Sequence, residues 1–213
     1  MKLLPLVLLA LLLKLPAGAP PKVRVALSPL TRAAYLGALK AAVDTKPTMT
    51  FPVRKQKRRI VIPAAKGSVV FKDSDVDEED PDWEEYTYQG YWPQFQFHLM
   101  RHNHYEWSKN VLVGRSGQKL ELDGEPVFSP DLNYFAAVAA GIEYWASDNS
   151  IQLFRFEKGR WWQVWKLEPS IDPATWEPAE IHWLSNSTLL LKKRMWTGKK
   201  PGNTFAYAKL EIH

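Results

Sequence analysis

From Thr48 onward the chain is written in short segments of alternating apolar and polar residues, separated by turn pairs such as Lys66-Gly67, Ser116-Gly117, Asp123-Gly124 and Lys158-Gly159. Alternation with period two places successive side chains on opposite faces of a strand, and glycine in the second position of a turn pair accepts the dihedral angles that tight hairpins need. The segments expected as strands are 48–53, 60–64, 68–72, 86–91, 95–104, 109–114, 119–122, 126–129, 134–140, 151–157, 161–167, 181–184, 188–196 and 204–212. Such a chain is all-β and dominated by hairpins. All ten tryptophans fall between Trp83 and Trp196, where aromatic rings suit the pleated surfaces of strands.

The first residues read differently. Lys2 precedes an apolar run from Leu3 to Leu13, and Ala17-Gly18-Ala19 supplies the small residues a signal peptidase accepts, so residues 1–19 are expected to be a signal peptide and the protein to be exported, periplasmic or extracellular. The run is too short to span a bilayer, which takes about 20 apolar residues, so no membrane-spanning helix is expected. Residues 20–46 read as an N-terminal arm carrying a helix from Pro29 to Val43, with Ser28 as cap and Pro29 in the first helical position. Residues 47–213 form the all-β domain. The chain has no cysteine, so an exported form is stabilised by burial alone. Its net charge of +5 includes Lys2 and Lys14 of the leader, and its only dense basic run is Arg54 to Arg59. No nucleic-acid partner is expected from so little basic surface.

One phrase has a shape of its own. Residues 125–131 read Glu-Pro-Val-Phe-Ser-Pro-Asp, strands follow at 132–138 and 150–156, and a turn leads into 161–167. This resembles one four-stranded blade of a WD-like β-propeller, and the Ser-Pro-Asp turn behind an aromatic is similar to the repeats of periplasmic TolB-type and peptidase-associated propellers. Two looser copies occupy 91–122 and the stretch from Ile181 onward. The aromatics at equivalent places, Phe95, Phe128 and Trp183, are 33 and then 55 residues apart, so the repeat is irregular. The resemblance implies a small or incomplete propeller-like array of antiparallel meanders, about four blades at roughly 40 to 45 residues each. A β-sandwich or barrel is the alternative that the same alternation allows.

Four groups are candidate sites. Residues 73–85 hold nine carboxylates in thirteen positions, with Asp73, Asp75, Asp77 and Glu84 spaced like the ligands of a calcium loop. Glu78 stands where such a loop needs glycine, and Pro81 occupies its ninth position, so a solvated loop and pairing with the Arg54–Arg59 run compete with calcium. That basic run reads as a hairpin tip that could meet an anionic lipid, lipopolysaccharide or the acidic loop, or simply be a soluble turn. His98, His102 and His104 share one strand face with Glu106, but their spacing is too wide for a single metal ion on a regular strand, so surface histidines are expected. Trp145, Trp161 and Trp176 could form an aromatic platform for a glycan or peptide, with core packing as the ordinary reading.

No G-x-S-x-G elbow, H-E-x-x-H pair or phosphate-cradling glycine loop occurs. The reading is therefore a non-catalytic binding or interaction module without a cofactor, whose partner is an unidentified protein, peptide or glycan. A calcium-binding or calcium-stabilised module, and a secreted hydrolase using a site assembled by the fold, are the alternatives.

Overall fold

The computed structural model describes residues 22–142, 148–170, 174–198 and 201–213. They form an all-β molecule of four antiparallel sheets, none of them closed, with one helix. The expected leader lies outside the described residues.

The sheets follow the chain. Strands β2 (Arg59–Ala64) and β3 (Gly67–Lys72) make a two-stranded hairpin sheet. Strands β4 (Glu84–Trp92), β5 (Phe97–His104), β6 (Ser108–Gly114) and β7 (Lys119–Leu122) form sheet I as a meander. Sheet II repeats that layout with β8 (Val127–Phe128), β9 (Tyr134–Ala139), β10 (Ser150–Glu157) and β11 (Arg160–Leu167). The four strands expected between residues 125 and 167 are thus one sheet. Sheet III contains β12 (Trp176–Ser185), β13 (Thr188–Trp196) and β14 (Pro201–Ile212), and its fourth strand is β1 (Val25–Leu30), brought from the other end of the chain to pair with β14.

Each sheet packs on the next through a separate cluster. Phe97, Leu99 and Leu112 of sheet I meet Phe135, Ala137, Phe154 and Trp161 of sheet II. The opposite face of sheet II gives Ala136, Ile151, Leu153 and Val164 to Ile181, Trp183, Leu189, Leu191 and Leu210 of sheet III. Met100, Val111 and Val113, on the other face of sheet I, lie against Ile60, Ile62 and Phe71 of the hairpin sheet. Sheets I and II are therefore buried on both faces. That is why 97–100 and 150–154 are unbroken buried runs even though the strands keep period two.

Two expectations are corrected. Ser28 and Pro29 do not start a helix; they lie in β1, and helix α1 (Arg32–Leu39) begins after Thr31, whose hydroxyl accepts the N–H of Ala34 at 3.1 Å. Pairing of Val25–Leu30 with Tyr207–Ile212 outweighs the local helical signal, and an edge strand tolerates the missing N–H of Pro29. The helix covers sheet III with Tyr35, which is buried and meets the Tyr207 ring at 4.6 Å. Residues 48–53 are not a strand. They belong to a strap that crosses the first strand of each large sheet in turn, with isolated bridges from Val43 to Trp183, Thr45 to Phe128 and Thr50 to Tyr91. The strap supplies one backbone partner to each of three open sheet edges, which is enough to cover an edge without building another sheet.

Candidate functional site

The acidic loop and the basic run face each other. Asp73 is buried; its Oδ2 lies 2.5 Å from Lys55 Nζ, and its Oδ1 accepts the Tyr86 N–H at 3.0 Å. Lys55 also donates to the Tyr86 carbonyl at 2.9 Å. Asp75 sits between Lys72 at 2.9 Å and Arg58 at 3.3 Å; the hydrogen bond from Lys72, then the charges of Lys72 and Arg58, hold its carboxyl below the usual carboxylate range. Glu84 turns elsewhere, accepting the Tyr86 hydroxyl at 3.2 Å and standing 3.7 Å from His102 Nε2. Asp77 caps the loop with its backbone carbonyl, which accepts the Asp80 N–H at 3.0 Å. The four residues of calcium-like spacing thus serve different partners, and no group of three or more His, Asp or Glu able to hold a metal occurs among the described residues.

The histidines keep the predicted parity but not the predicted exposure. Their face of sheet I is the one covered by the hairpin sheet, so His98 is only 8% exposed, with Nδ1 3.0 Å from the Tyr88 hydroxyl. Burial pushes the His98 pKa down. His102 stacks on Tyr86 at 4.2 Å, and His104 lies parallel to Trp107 at 4.8 Å. Burial also lowers the pKa of His102, outweighing the opposing pull of Glu84 and Glu121. Trp107 also meets His102 edge-on at 4.8 Å, so one indole contacts two of the three imidazoles.

The tryptophans are dispersed. Trp161 is 5% exposed, its ring within 5.0 Å of Phe95 and Phe156 in the cluster between sheets I and II. Trp176 lies half-buried on the cluster between sheets II and III, with Lys193 Nζ 4.9 Å above its ring. These two rings form no common platform, and Trp145 lies outside the described residues.

The Ser129-Pro130-Asp131 turn is a structural lock. The fully buried Ser129 hydroxyl donates to Asp131 Oδ1 at 2.7 Å and accepts the Tyr134 N–H at 3.0 Å, and Asp131 takes both the backbone and side-chain amides of Asn133. Partial burial opposes ionisation of Asp131, yet these hydrogen bonds hold its carboxyl below the ordinary value. Its own N–H reaches Asn186 Oδ1 at 3.1 Å, so the turn ties sheet II to sheet III.

Two recesses open beside the aromatic cluster. At the end where the hairpin turns gather, a cleft of about 390 Å³ is floored by Phe95 and Phe156 and ringed by Gln94, Gln96, Gln118, Arg115, Lys158 and Arg160. Its lining contains no carboxylate. The second recess, about 620 Å³, runs beneath the strap. Its floor is Trp92, Leu99, Val127 and Phe128, its roof is Thr45 to Met49, and Asp44, Gln89 and Glu125 supply polar groups at the sides. The strap approaches sheet I closely here: a Cβ on Gly90 would stand 2.5 Å from the Met49 side chain, and the φ of Gly90 is +146°. Trp92 is 1% exposed and its indole Nε1 has no hydrogen-bond partner. Other buried polar atoms share that condition, among them the Trp161 Nε1 and Tyr35 hydroxyl, but Trp92 also lines a recess of a size typical for small-molecule sites.

The sequence barely announces the strap groove, because its walls come from three separate stretches, 44–49, 89–99 and 125–128, that only the fold joins. A glycine at 90 within an otherwise alternating strand, the mark of close backbone approach, was the one local clue. No family model, curated protein or solved structure matches this chain.

Proposed function

We propose that the protein is an exported, non-catalytic binding module that holds a small, largely apolar molecule in the groove beneath the strap. The observation that carries this reading is Trp92: an indole N–H, buried and without a partner, in the floor of a roomy apolar groove. Leaving such a donor unpaired is costly; the N–H itself is closed to solvent, so a ligand with an acceptor oxygen would relieve it through a small shift of the strap above the ring. Leu99, Val127 and Phe128 favour a flat apolar body, while Gln89 and the rim charges of Asp44, Lys46 and Glu125 suit a polar end. Export rests on the leader pattern in residues 1–19. The propeller-like reading belongs to the same proposal, supported by three successive four-stranded sheets, the last completed by the N-terminal strand.

A fragment library screened by ligand-observed NMR on the purified chain tests the assignment. Flat apolar compounds with an acceptor oxygen should bind, and Trp92→Phe, which keeps a ring but removes the donor, should weaken them by roughly 3- to 10-fold. Binders whose affinity ignores both Trp92→Phe and Leu99→Ala would remove the groove from consideration.

A further inference from the structure

The basic run divides its work. Lys55 and Arg58 turn to the acidic loop, whereas Arg54, Lys57 and Arg59 have no ion-pair partner among the described residues. These three cations line a groove of about 640 Å³ together with Pro52, Val61 and Pro63, on the hairpin sheet. Because Ile60, Ile62 and Phe71 point into sheet I, alternation sends Arg59, Val61, Val70 and Lys72 to the opposite face. Val61 and Val70 are directly paired across the two strands and are 47% and 40% exposed.

The backbone there is strained in a way that keeps the arrangement. Gln56 and Arg59 exchange both backbone hydrogen bonds, at 2.8 and 2.9 Å, around the two-residue turn Lys57-Arg58, and both central residues have positive φ, 46° and 60°. Turns of this class favour Asn-Gly, and two long cationic side chains are an unfavourable choice for the turn itself. The turn splits them: Arg58 goes to Asp75, and Lys57 to the groove.

We infer that this outer face of the hairpin sheet docks on an anionic lipid surface. Three unpaired cations beside an exposed apolar pair match a bilayer interface, where phosphate groups lie just outside the acyl boundary. No carboxylate lines the groove; Asp75, beside the turn, is paired to Arg58 and Lys72, and Asp73 and Glu85 are paired to Lys55. An added peptide strand fits less well, since Pro63 has no N–H to offer along the β2 edge. The site is separate from the strap groove, and either can fail without the other.

Cosedimentation of the purified chain with vesicles tests the inference. The protein should bind vesicles containing phosphatidylglycerol and ignore pure phosphatidylcholine, and binding should vanish near 1 M salt, where the screening length falls to about 3 Å. Each basic residue near such a surface contributes roughly fivefold, so Arg54→Gln, Lys57→Gln and Arg59→Gln together should weaken binding on the order of 100-fold. Val61→Ser with Val70→Ser should weaken it further, while Lys158→Gln with Arg160→Gln, at the turn-end cleft, should change it little. An unaltered melting curve for the triple variant confirms that folding is not the cause. Equal binding to both vesicle types, full binding by the triple variant, or binding to polyglutamate with none to vesicles would overturn the inference.

Discussion

The seam between sheets I and II is aromatic, with Phe97 buried in it and Trp92, Phe95, Phe128, Phe135, Phe154 and Trp161 packed edge-to-face, tilted or stacked; the seam between sheets II and III is, apart from Trp183, aliphatic in its buried part. Between the aliphatic side chains lies a space of only about 10 Å³. Beside the aromatic seam lie recesses of about 390 and 620 Å³. Branched aliphatic chains have several rotamers with which to interdigitate, whereas rigid rings hold two sheets apart at angles set by their edges and leave concave ends. The same stacking of sheets therefore yields a closed joint on one side of sheet II and ligand-sized openings on the other.

Matched truncations probe that contrast with the largest expected effects. Leu191→Ala, fully buried in the aliphatic seam, should cost about 4 to 5 kcal/mol, because its neighbours cannot close the cavity. Leu99→Ala borders the strap groove, merely enlarges an existing opening, and should cost about 2 kcal/mol. Equal losses in denaturant titrations would mean that the two seams collapse equally well. Next comes Gly124→Ala at the crossing from sheet I to sheet II, where a Cβ would collide with the Val138 carbonyl oxygen; forcing the backbone apart should cost roughly 2 to 3 kcal/mol.

Smaller effects sharpen the comparison further. Ser129→Ala removes the hydroxyl that organises the turn tying sheet II to sheet III and should lower stability by about 1 kcal/mol, read as a shift in the urea midpoint with unchanged slope. His98, beneath the hairpin sheet, supplies the pH dependence. Burial depresses its folded pKa below the ordinary 6.5, so its neutral form is favoured in the native state. Stability should be intact above about pH 6.5 and fall below it as the unfolded chain takes up the proton, until the folded value is passed. Melting scans between pH 7 and 5 should show a decline that His98→Gln reduces.

Much of the strand pattern was legible because it is local. Residues 60–64, 134–140 and 161–167 carry alternation and turn pairs that work within a few residues, and the structure has strands there. The helix start was misplaced by the same kind of reasoning, since Ser28-Pro29 is a good local cap and lost only to pairing with β14 nearly two hundred residues away. Burial of His98 was equally out of reach, because alternation says which side chains share a face and not what covers that face. At the candidate site, Trp92 could not be told from the other tryptophans until the strap crossed it.

Alternation, turn glycines and the absence of cysteine determine by themselves that this chain builds short antiparallel strands stabilised by burial, since those rules act on neighbouring residues. Which sheet receives the N-terminal strand, where the strap lies, which cations of one basic run are neutralised and which stay free, and hence where a ligand can enter, were decided by tertiary structure. Those outcomes depend on contacts between residues far apart in the chain, whose energies exist only once the sheets have packed.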